Sequence, residues 1–211
     1  MSDLLSAAAP LLTAAFTLWG SPVTWLEIVA FVLSLWMVLC NLRVSILGWP
    51  LAIISSVLYA LLFAAGKLYG EAALQLVFVV LAAWGWWQWL RGCGSADQPL
   101  RVHRLTPRQR GLALAATLAA WPLLAVLLAR GTDSDVPVAD ALATVGSVAG
   151  QLLLGRKLIE NWAVWLAVNV FSVGLFAYKG FWLTVILYAL FAVLSVIGWR
   201  AWAQRLRAGT A

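Results

Sequence analysis

The sequence predicts an all-α integral membrane protein whose seven transmembrane helices form two parallel three-helix repeats joined by a connector, a 3+1+3 arrangement. Three observations predict it: an apolar composition, seven apolar segments of bilayer-spanning length, and an internal repeat. Hydrophobic residues make up 64% of the 211 residues and charged residues only 10%, and the mean hydropathy is +0.94. A soluble domain of this length could not cover so many apolar groups with a polar shell.

Charge and cysteine usage narrow the class further. The net charge of +6 lies in short loops between apolar segments, which does not favour nucleic acid as a partner. Cys40 and Cys93 form neither a disulfide framework nor a metal-ligand spacing. The single histidine, His103, lies in a basic loop beside Arg104, as solvated loop histidines do. The spans contain no phosphate loop and no nucleophile with a nearby base, so we expect neither enzymatic activity nor a cofactor.

The first residues of the chain are ambiguous. They are rich in Ala and Leu, contain Pro10, and carry Asp3 as the only charged side chain before Glu27. The basic leading residues of a secretory signal are absent. We predict a short interfacial helix in the segment 1–22, with an eighth span or a retained signal-like segment as the alternatives.

Seven apolar segments follow, each close to the roughly 20 residues that a bilayer requires. None shows the alternation of a barrel strand, so helices are expected. The spans lie near 24–42, 45–65, 68–90, 109–129, 137–155, 161–178 and 181–203.

The distribution of basic residues predicts the orientation. Lys67, Arg130 and Lys179 lie on one face of the predicted bundle, whereas eleven basic residues lie on the other. The positive-inside rule places the richer face in the cytoplasm, with the N-terminus outside and the C-terminus inside. The eleven are Arg43, Arg91, Arg101, Arg104, Arg108, Arg110, Arg156, Lys157, Arg200, Arg205 and Arg207.

An internal repeat at an offset of 113 residues organises the spans. Four spans separate each helix from its counterpart, an even number, so the two triplets cross the membrane in the same direction. Parallel three-helix repeats are a known transporter plan, with the substrate site between the halves near the midplane. Among the matched pairs are Glu27 with Asp140, Ser34 with Ser147, Arg43 with Arg156, Trp49 with Trp162, Phe63 with Phe176, Gly85 with Gly198 and Trp89 with Trp202.

The repeat divides the chain into five parts. After the N-terminal segment 1–22 come the first triplet, 23–92, and a basic cytoplasmic loop with the connector helix, 93–136. The second triplet, 137–203, and a cytoplasmic tail, 204–211, complete the chain.

The sixth span carries the most distinctive pattern. Trp165, Asn169, Ser172 and Phe176 are spaced by 4, 3 and 4 residues and so share one helical face. In an apolar environment such a stripe faces other protein, water or a ligand. At the cytoplasmic start of this span we expect Glu160 to cap the helix and to pair with Arg156 or Lys157; Glu27 and Asp140 are expected to cap outer helix starts in the same way.

Three runs of the sequence are specific enough to carry a resemblance: WLEIVAF (25–31), LYGEAALQLVFVVLAAWGWWQW (68–89) and RKLIENWAVWLAVNVFSVGLFAYKGFWLTVILY (156–188). The most specific part is the ENWxxWxxxN core of the third run. In these runs the chain resembles the nicotinamide riboside transporter PnuC family. The resemblance implies a fold similar to that of sugar-transporting SWEET proteins, a homotrimer in a bacterial inner membrane, and uncoupled passage of a vitamin precursor that a cytoplasmic kinase then traps. It also implies that Gln75, Trp165, Asn169 and Tyr188 contact the substrate. Where family members often have an asparagine in the second span, this chain has Ser55 and Ser56.

The residues themselves support a similar interpretation. Nicotinamide riboside and thiamine contain a cationic heteroaromatic ring, which tryptophan and tyrosine faces bind at about 0.5 to 2 kcal/mol per desolvated contact. The amides of Gln75, Gln151 and Asn169 are suited to orient a carboxamide or ribose hydroxyls. Trp182 begins the last span and is either a gate or a belt residue. Asn169 and Gln75 can instead bond neighbouring helices, and Tyr188 can instead be a packing group.

Alternatives remain open at this point. The same fold also suits thiamine or riboflavin, so the family does not decide the substrate. A non-transporting membrane scaffold or receptor would explain the spans and the repeat but not the polar stripe. Absence of an acidic residue deep in a span predicts facilitated diffusion rather than ion coupling.

Overall fold

Seven α-helices form where the sequence has its apolar segments. The computed structural model describes residues 9–65, 69–91, 100–132, 135–180 and 182–208. Every helix boundary within these ranges lies within four residues of the predicted one, which confirms the predicted fold class. Six of the helices are long and apolar enough to cross a membrane, and the remaining one, α2, is also apolar. The helices are α1 (Trp25–Leu42), α2 (Gly48–Ala65), α3 (Tyr69–Arg91), α4 (Pro107–Gly131), α5 (Pro137–Gly155), α6 (Asn161–Tyr178) and α7 (Trp182–Arg207).

A β-hairpin precedes the first helix, so the predicted interfacial helix is wrong for the described part of this segment. After a 3₁₀ turn at Ala9–Leu12, strand β1 (Ala14–Leu18) pairs antiparallel with β2 (Ser21–Thr24). Trp19 and Gly20 have φ values of 46° and 88°, as a tight two-residue hairpin turn requires. A run of alanine and leucine favoured helix locally, but this turn and the burial of Val23 outweigh that preference.

The predicted carboxylate caps of α1 and α5 are not observed: a hydroxyl caps α1, and no side chain caps α5. The Thr24 hydroxyl accepts a hydrogen bond from the Glu27 backbone N–H at 3.2 Å, so Thr24 and not Glu27 caps α1. At the corresponding helix start of the second triplet, the Asp140 carboxylate instead receives the Lys179 ammonium at 2.8 Å. Since Asp140 lies beyond the first three positions of α5, its carboxylate is better placed to pair than to cap.

Six helices close into a ring. Within each triplet the helices pack in chain order, and the triplets meet where α3 packs on α5 and where α1 packs on α7. In the repeat α1 corresponds to α5 and α3 to α7, so these two contacts are the same contact made twice. An approximate twofold axis therefore relates the two triplets of the ring. Helix α4 packs on α5 outside the ring and has Ala125 as its one buried residue, in keeping with a connector.

Four tryptophans join the two triplets at one end of the ring. Trp49 meets Trp89 edge to face, with centroids 5.3 Å apart, and Trp162 meets Trp202 in the same way at 5.6 Å. Each pair is the repeat equivalent of the other. We call these four side chains the tryptophan clamp, and all four are buried.

Two reciprocal hydrogen bonds cross between the triplets at the clamp. The Trp89 Nε1–H donates to the Leu154 carbonyl at 3.3 Å, and the Trp202 Nε1–H donates to the Asn41 carbonyl at 3.1 Å. Asn41 and Leu154 are themselves repeat equivalents. A single arrangement is therefore used twice, once in each direction across the interface.

A loop strap, formed by residues 100–106 and 156–160, covers the clamp end of the ring. His103 forms a parallel bridge with Leu158, and the Glu160 carboxylate accepts from the Leu105 N–H at 3.2 Å and from Arg110 at 2.7 Å. The predicted pairing of Glu160 with Arg156 or Lys157 is therefore wrong. Its partners are Leu105, in the loop before α4, and Arg110, in α4, which local sequence could not indicate. The side chain of Glu160 makes no capping hydrogen bond either.

Lys157, in the same strap, is buried. Its ammonium donates to the Leu100 carbonyl at 2.7 Å and lies 4.6 Å from the ring centre of Trp89. Burial, and to a lesser extent the charge of Arg205, lowers the pKa of Lys157 below its ordinary value of 10.5. The Lys157 ammonium therefore loses part of its hydration at the clamp end of the ring, which disfavours its charged form.

Candidate functional site

A cavity of about 560 Å³ lies at the centre of the ring. All six ring helices and the hairpin contribute to its wall, whereas no described residue of α4 does. It runs from the hairpin end to the tryptophan clamp, where Asn41, Leu154, Asn161 and Trp162 form its floor. The cavity therefore lies at the interface of the repeats, as the repeat predicted.

Helix α6 presents its predicted stripe to this cavity. Trp165, Asn169, Ser172 and Phe176 all line it, as their spacing predicted, and Asn169 and Ser172 are buried. The indole of Trp165 packs on α5 at Gly150, where an added Cβ would lie 2.9 Å from the ring. The glycine therefore fixes how deeply the indole sits in the wall.

The Asn169 amide is held in one orientation. The Ser195 hydroxyl donates its proton to the Phe191 carbonyl at 2.7 Å, so its oxygen can only accept from the Asn169 Nδ2 at 3.2 Å. Consequently the amide nitrogen faces α7, and the Asn169 Oδ1 has no partner among the described residues. An acceptor is thus left at the cavity wall.

Aromatic side chains form much of the wall towards the hairpin end. Phe176 stacks on Tyr188 with centroids 5.1 Å apart, and Phe191 meets Tyr188 edge to face at 6.0 Å. In the first triplet Tyr59 stacks on Phe63, the repeat equivalent of Phe176, at 6.0 Å. The two triplets therefore offer ring faces from both sides of the cavity.

The hairpin end combines charges with aromatic groups. Among the lining residues, Glu27, Asp140 and Lys179 are the charged side chains, and Lys179 is paired with Asp140. Trp182 lies against Trp19 of the hairpin turn, with centroids 5.4 Å apart, and the Ser21 hydroxyl lies 3.4 Å from the Gly180 carbonyl. The hairpin thus covers part of this mouth.

All six residues predicted to bind substrate line this one cavity. Asn169 and Gln151 are buried, and the other four are partly exposed. Whether each contacts a substrate stays a prediction. The six are Gln75, Gln151, Trp165, Asn169, Trp182 and Tyr188.

The sequence did not single out several other lining residues. Asn41 and Tyr59 lie in apolar spans as isolated polar groups, a signal that was available but not specific. Asn161 carried only a structural interpretation, as a helix-start residue. Ser55 and Ser56 line the wall where relatives were expected to have an amide, and Ser56 is the repeat equivalent of Asn169.

No cluster of three metal-ligating side chains occurs among the described residues.

Comparison with known proteins agrees with this architecture. Residues 24–204 match the model of a family described as nicotinamide mononucleotide transporter. The riboflavin/roseoflavin transporter RibM of Streptomyces davaonensis is 31% identical over 196 residues, covering 92% of this chain and 91% of that protein. The nicotinamide riboside transporter PnuC of Escherichia coli is 24% identical over 213 residues, covering 89% of each chain.

A second PnuC and a solved structure extend the likeness. The nicotinamide riboside transporter PnuC of Neisseria mucosa is 27% identical over 198 residues, which cover 89% of this chain and 75% of that protein. A crystal structure of the vitamin B3 transporter PnuC superposes with a TM-score of 0.74 at 26% identity, over 87% of this chain and 83% of that one.

Proposed function

Because the chain belongs to the nicotinamide mononucleotide transporter family, in which PnuC proteins fall, we propose that its cargo is nicotinamide riboside. The protein is a multi-pass membrane transporter and not an enzyme. The matching family and the relatives are named for different cargoes, a mononucleotide, a riboside and a flavin, so the cargo of this chain has to be inferred from its cavity.

The charge of the cavity wall is the observation that carries the proposal. A nucleotide phosphate is normally met by arginine or lysine side chains. Among the described lining residues the only lysine or arginine is Lys179, and Asp140 already pairs with it. With Glu27 also at the mouth, the wall suits a cationic or neutral ligand, and so a riboside rather than its phosphate.

The aromatic and amide lining supports the same cargo. A pyridinium ring between Trp165 and the Phe176–Tyr188 stack gains about 0.5 to 2 kcal/mol per desolvated ring face. Gln75, Gln151 and Asn169 supply amides for the carboxamide and the ribose hydroxyls. Trp182 lies at the hairpin end of the cavity, where the cargo passes it on entry. A site without a tight ion pair binds reversibly, as transport requires.

Transport proceeds by facilitated diffusion in this proposal. The two triplets rock about the cavity, and the clamp separates as the opposite mouth closes. The hairpin faces outwards and the C-terminus lies in the cytoplasm of a bacterial inner membrane, where phosphorylation traps the cargo. The resemblance to the PnuC family supports assembly as a homotrimer.

Riboflavin is a second candidate, because RibM is the relative with the higher identity. Uptake of labelled nicotinamide riboside, riboflavin, thiamine and nicotinamide mononucleotide into proteoliposomes decides among them. We expect riboside uptake that equilibrates but does not accumulate, with or without a sodium or proton gradient. Uptake of riboflavin alone, or gradient-driven accumulation of unmodified riboside, would contradict the proposal.

Trp165 is the residue expected to matter most. Trp165→Ala removes a ring face from the cavity wall, and we expect nicotinamide riboside to bind about 10-fold more weakly or worse. The matched control is Trp87→Ala: Trp87 is 49% exposed, lies outside the cavity and stacks with Arg91 at 5.5 Å. Equal affinities of the two variants in calorimetry would refute the assignment.

A further inference from the structure

Polar groups at the cavity floor lack partners. The Oδ1 atoms of Asn41 and Asn161 and the Nε1 of Trp162 are buried, and no described group bonds to them. All three residues line the cavity, and their side chains are at least nine-tenths buried. A buried polar atom without a partner lowers the stability of the folded state, so its retention here calls for a reason.

The asparagine orientations make their free atoms acceptors. The Asn161 Nδ2 donates to the Leu158 carbonyl at 2.6 Å, which leaves the Oδ1 free. In Asn41 the Nδ2 lies 3.1 Å from the Met37 sulfur, again leaving the Oδ1. The Trp162 Nε1 can only donate. The residues of the floor thus hold two acceptors and one donor without partners among the described residues, and a hydroxyl group both donates and accepts.

The floor also lies at a defined distance from the ring site. Asn161, Trp165 and Asn169 are spaced by four residues on one face of α6, so each step is about 6 Å along the helix axis. A ring held against Trp165 therefore has one amide, Asn169, above it and another, Asn161, below it. A substituent of sugar size reaches the floor from such a ring.

Each triplet supplies one of the floor amides, but from different positions. The repeat equivalent of Asn41 is Leu154, and that of Asn161 is Gly48. The second triplet therefore accommodates leucine at the position equivalent to Asn41. Gly48 lies against the Asn41 Oδ1, so this oxygen reaches the cavity when the amide turns.

We propose that Asn41, Asn161 and Trp162 form a hydroxyl-binding subsite at the cavity floor, which takes the sugar end of the cargo while its ring lies against Trp165. The inference rests on the proposed function and deepens it. The oxygens lie just behind the wall, each exposing less than 1 Å², so bulk water does not already satisfy them. A turn of the amide, or the first separation of the clamp, brings them to the sugar hydroxyls.

The test compares two ligands on three proteins. Nicotinamide riboside and the 1-methylnicotinamide cation share the charged ring and the carboxamide, but only the riboside carries sugar hydroxyls. Their dissociation constants are measured by calorimetry on the wild type, on Asn41→Leu and on the control Thr117→Val. Thr117 bonds its own helix backbone on α4, outside the cavity. Melting temperatures of the ligand-free proteins are measured in parallel.

We expect Asn41→Leu to weaken riboside binding by about 3- to 10-fold, the effect of one hydrogen bond, and to leave 1-methylnicotinamide unchanged. Its ligand-free melting temperature stays equal or rises, because an unpaired buried acceptor is replaced by an apolar group with the same branching. Thr117→Val changes neither affinity.

Two results would overturn the subsite while leaving the transport proposal intact. One is an unchanged preference for riboside over 1-methylnicotinamide in Asn41→Leu. The other is an equal loss for both ligands with a lower melting temperature, which would make Asn41 structural. If the wild type binds neither ligand, the proposed cargo fails first and the subsite with it.

Discussion

The packing of glycine against tryptophan at the clamp yields the sharpest prediction. In α7 a Cβ added at Gly198 would lie 2.5 Å from the Trp162 indole, and at the repeat-equivalent Gly85 it would overlap the Trp49 indole. Real Cβ atoms do not approach that closely. Neither indole can yield cheaply, because Trp162 is 3% exposed and is held edge to face by Trp202.

The expected magnitude for Gly198→Ala follows from two opposing terms. Overpacking a filled core costs about 1 to 3 kcal/mol. Alanine favours a helix interior over glycine by about 1 kcal/mol, which offsets part of that cost. The variant should therefore lose up to about 2 kcal/mol in free energy of unfolding, or up to about 8 °C in melting temperature at this chain length.

Gly174→Ala is the matched control. Gly174 lies inside α6, four residues before its end at Tyr178, and an added Cβ there meets nothing within 4 Å. With no overpacking term, only the helix preference acts, so this variant should melt about 2 to 4 °C higher than the wild type. The measurement is thermal unfolding of the purified proteins in one detergent, including Gly85→Ala as the twin. A Gly198→Ala protein as stable as Gly174→Ala would refute the described clamp packing.

Two further predictions concern the strap. Glu160→Gln weakens the contacts to Arg110 and Leu105. Because Arg110 is half exposed, we expect the free energy of unfolding to fall by about 1 kcal/mol, and by less at high salt. Thermal unfolding measures the change, and no loss of stability at low salt would contradict the strap contacts. Lys157 has a lowered pKa in the folded protein, so between that pKa and 10.5 the unfolded chain holds more protons and the free energy of unfolding rises with pH. In Lys157→Met that rise should be smaller than in the wild type across pH 7 to 10, and identical pH profiles would count against a buried ammonium.

Strap contacts illustrate what local sequence cannot indicate. Glu160 lay beside Arg156 and Lys157 in the sequence, and proximity favoured those partners. Its actual partner, Arg110, is 50 residues away and is brought close by the path of the loop before α4. Similarly, the leading segment had a helical composition, yet a two-residue turn at Trp19 and Gly20 makes it a hairpin.

The site was predicted more fully where a single helix carried it. Spacing along α6 was enough to place Trp165 and Asn169 on a cavity, because the phase of one helix is fixed by its period. Asn41 and Tyr59 are isolated polar groups in apolar spans and belong to no comparable stripe, so only packing of the two triplets could bring them to the same wall.

By itself the sequence determined the class, the seven spans and the repeat. Each is a one-dimensional property: bilayer thickness sets segment length, hydropathy sets the class, and an offset of 113 residues is visible in the letters. Tertiary structure alone decided how the ring closes. The reciprocal bonds of Trp89 and Trp202 depend on how each helix is rotated about its axis and on which helix of the other triplet it meets, and so do the unpaired amides of the floor. The bond of Trp202 joins residues 161 positions apart, so no local pattern could indicate it.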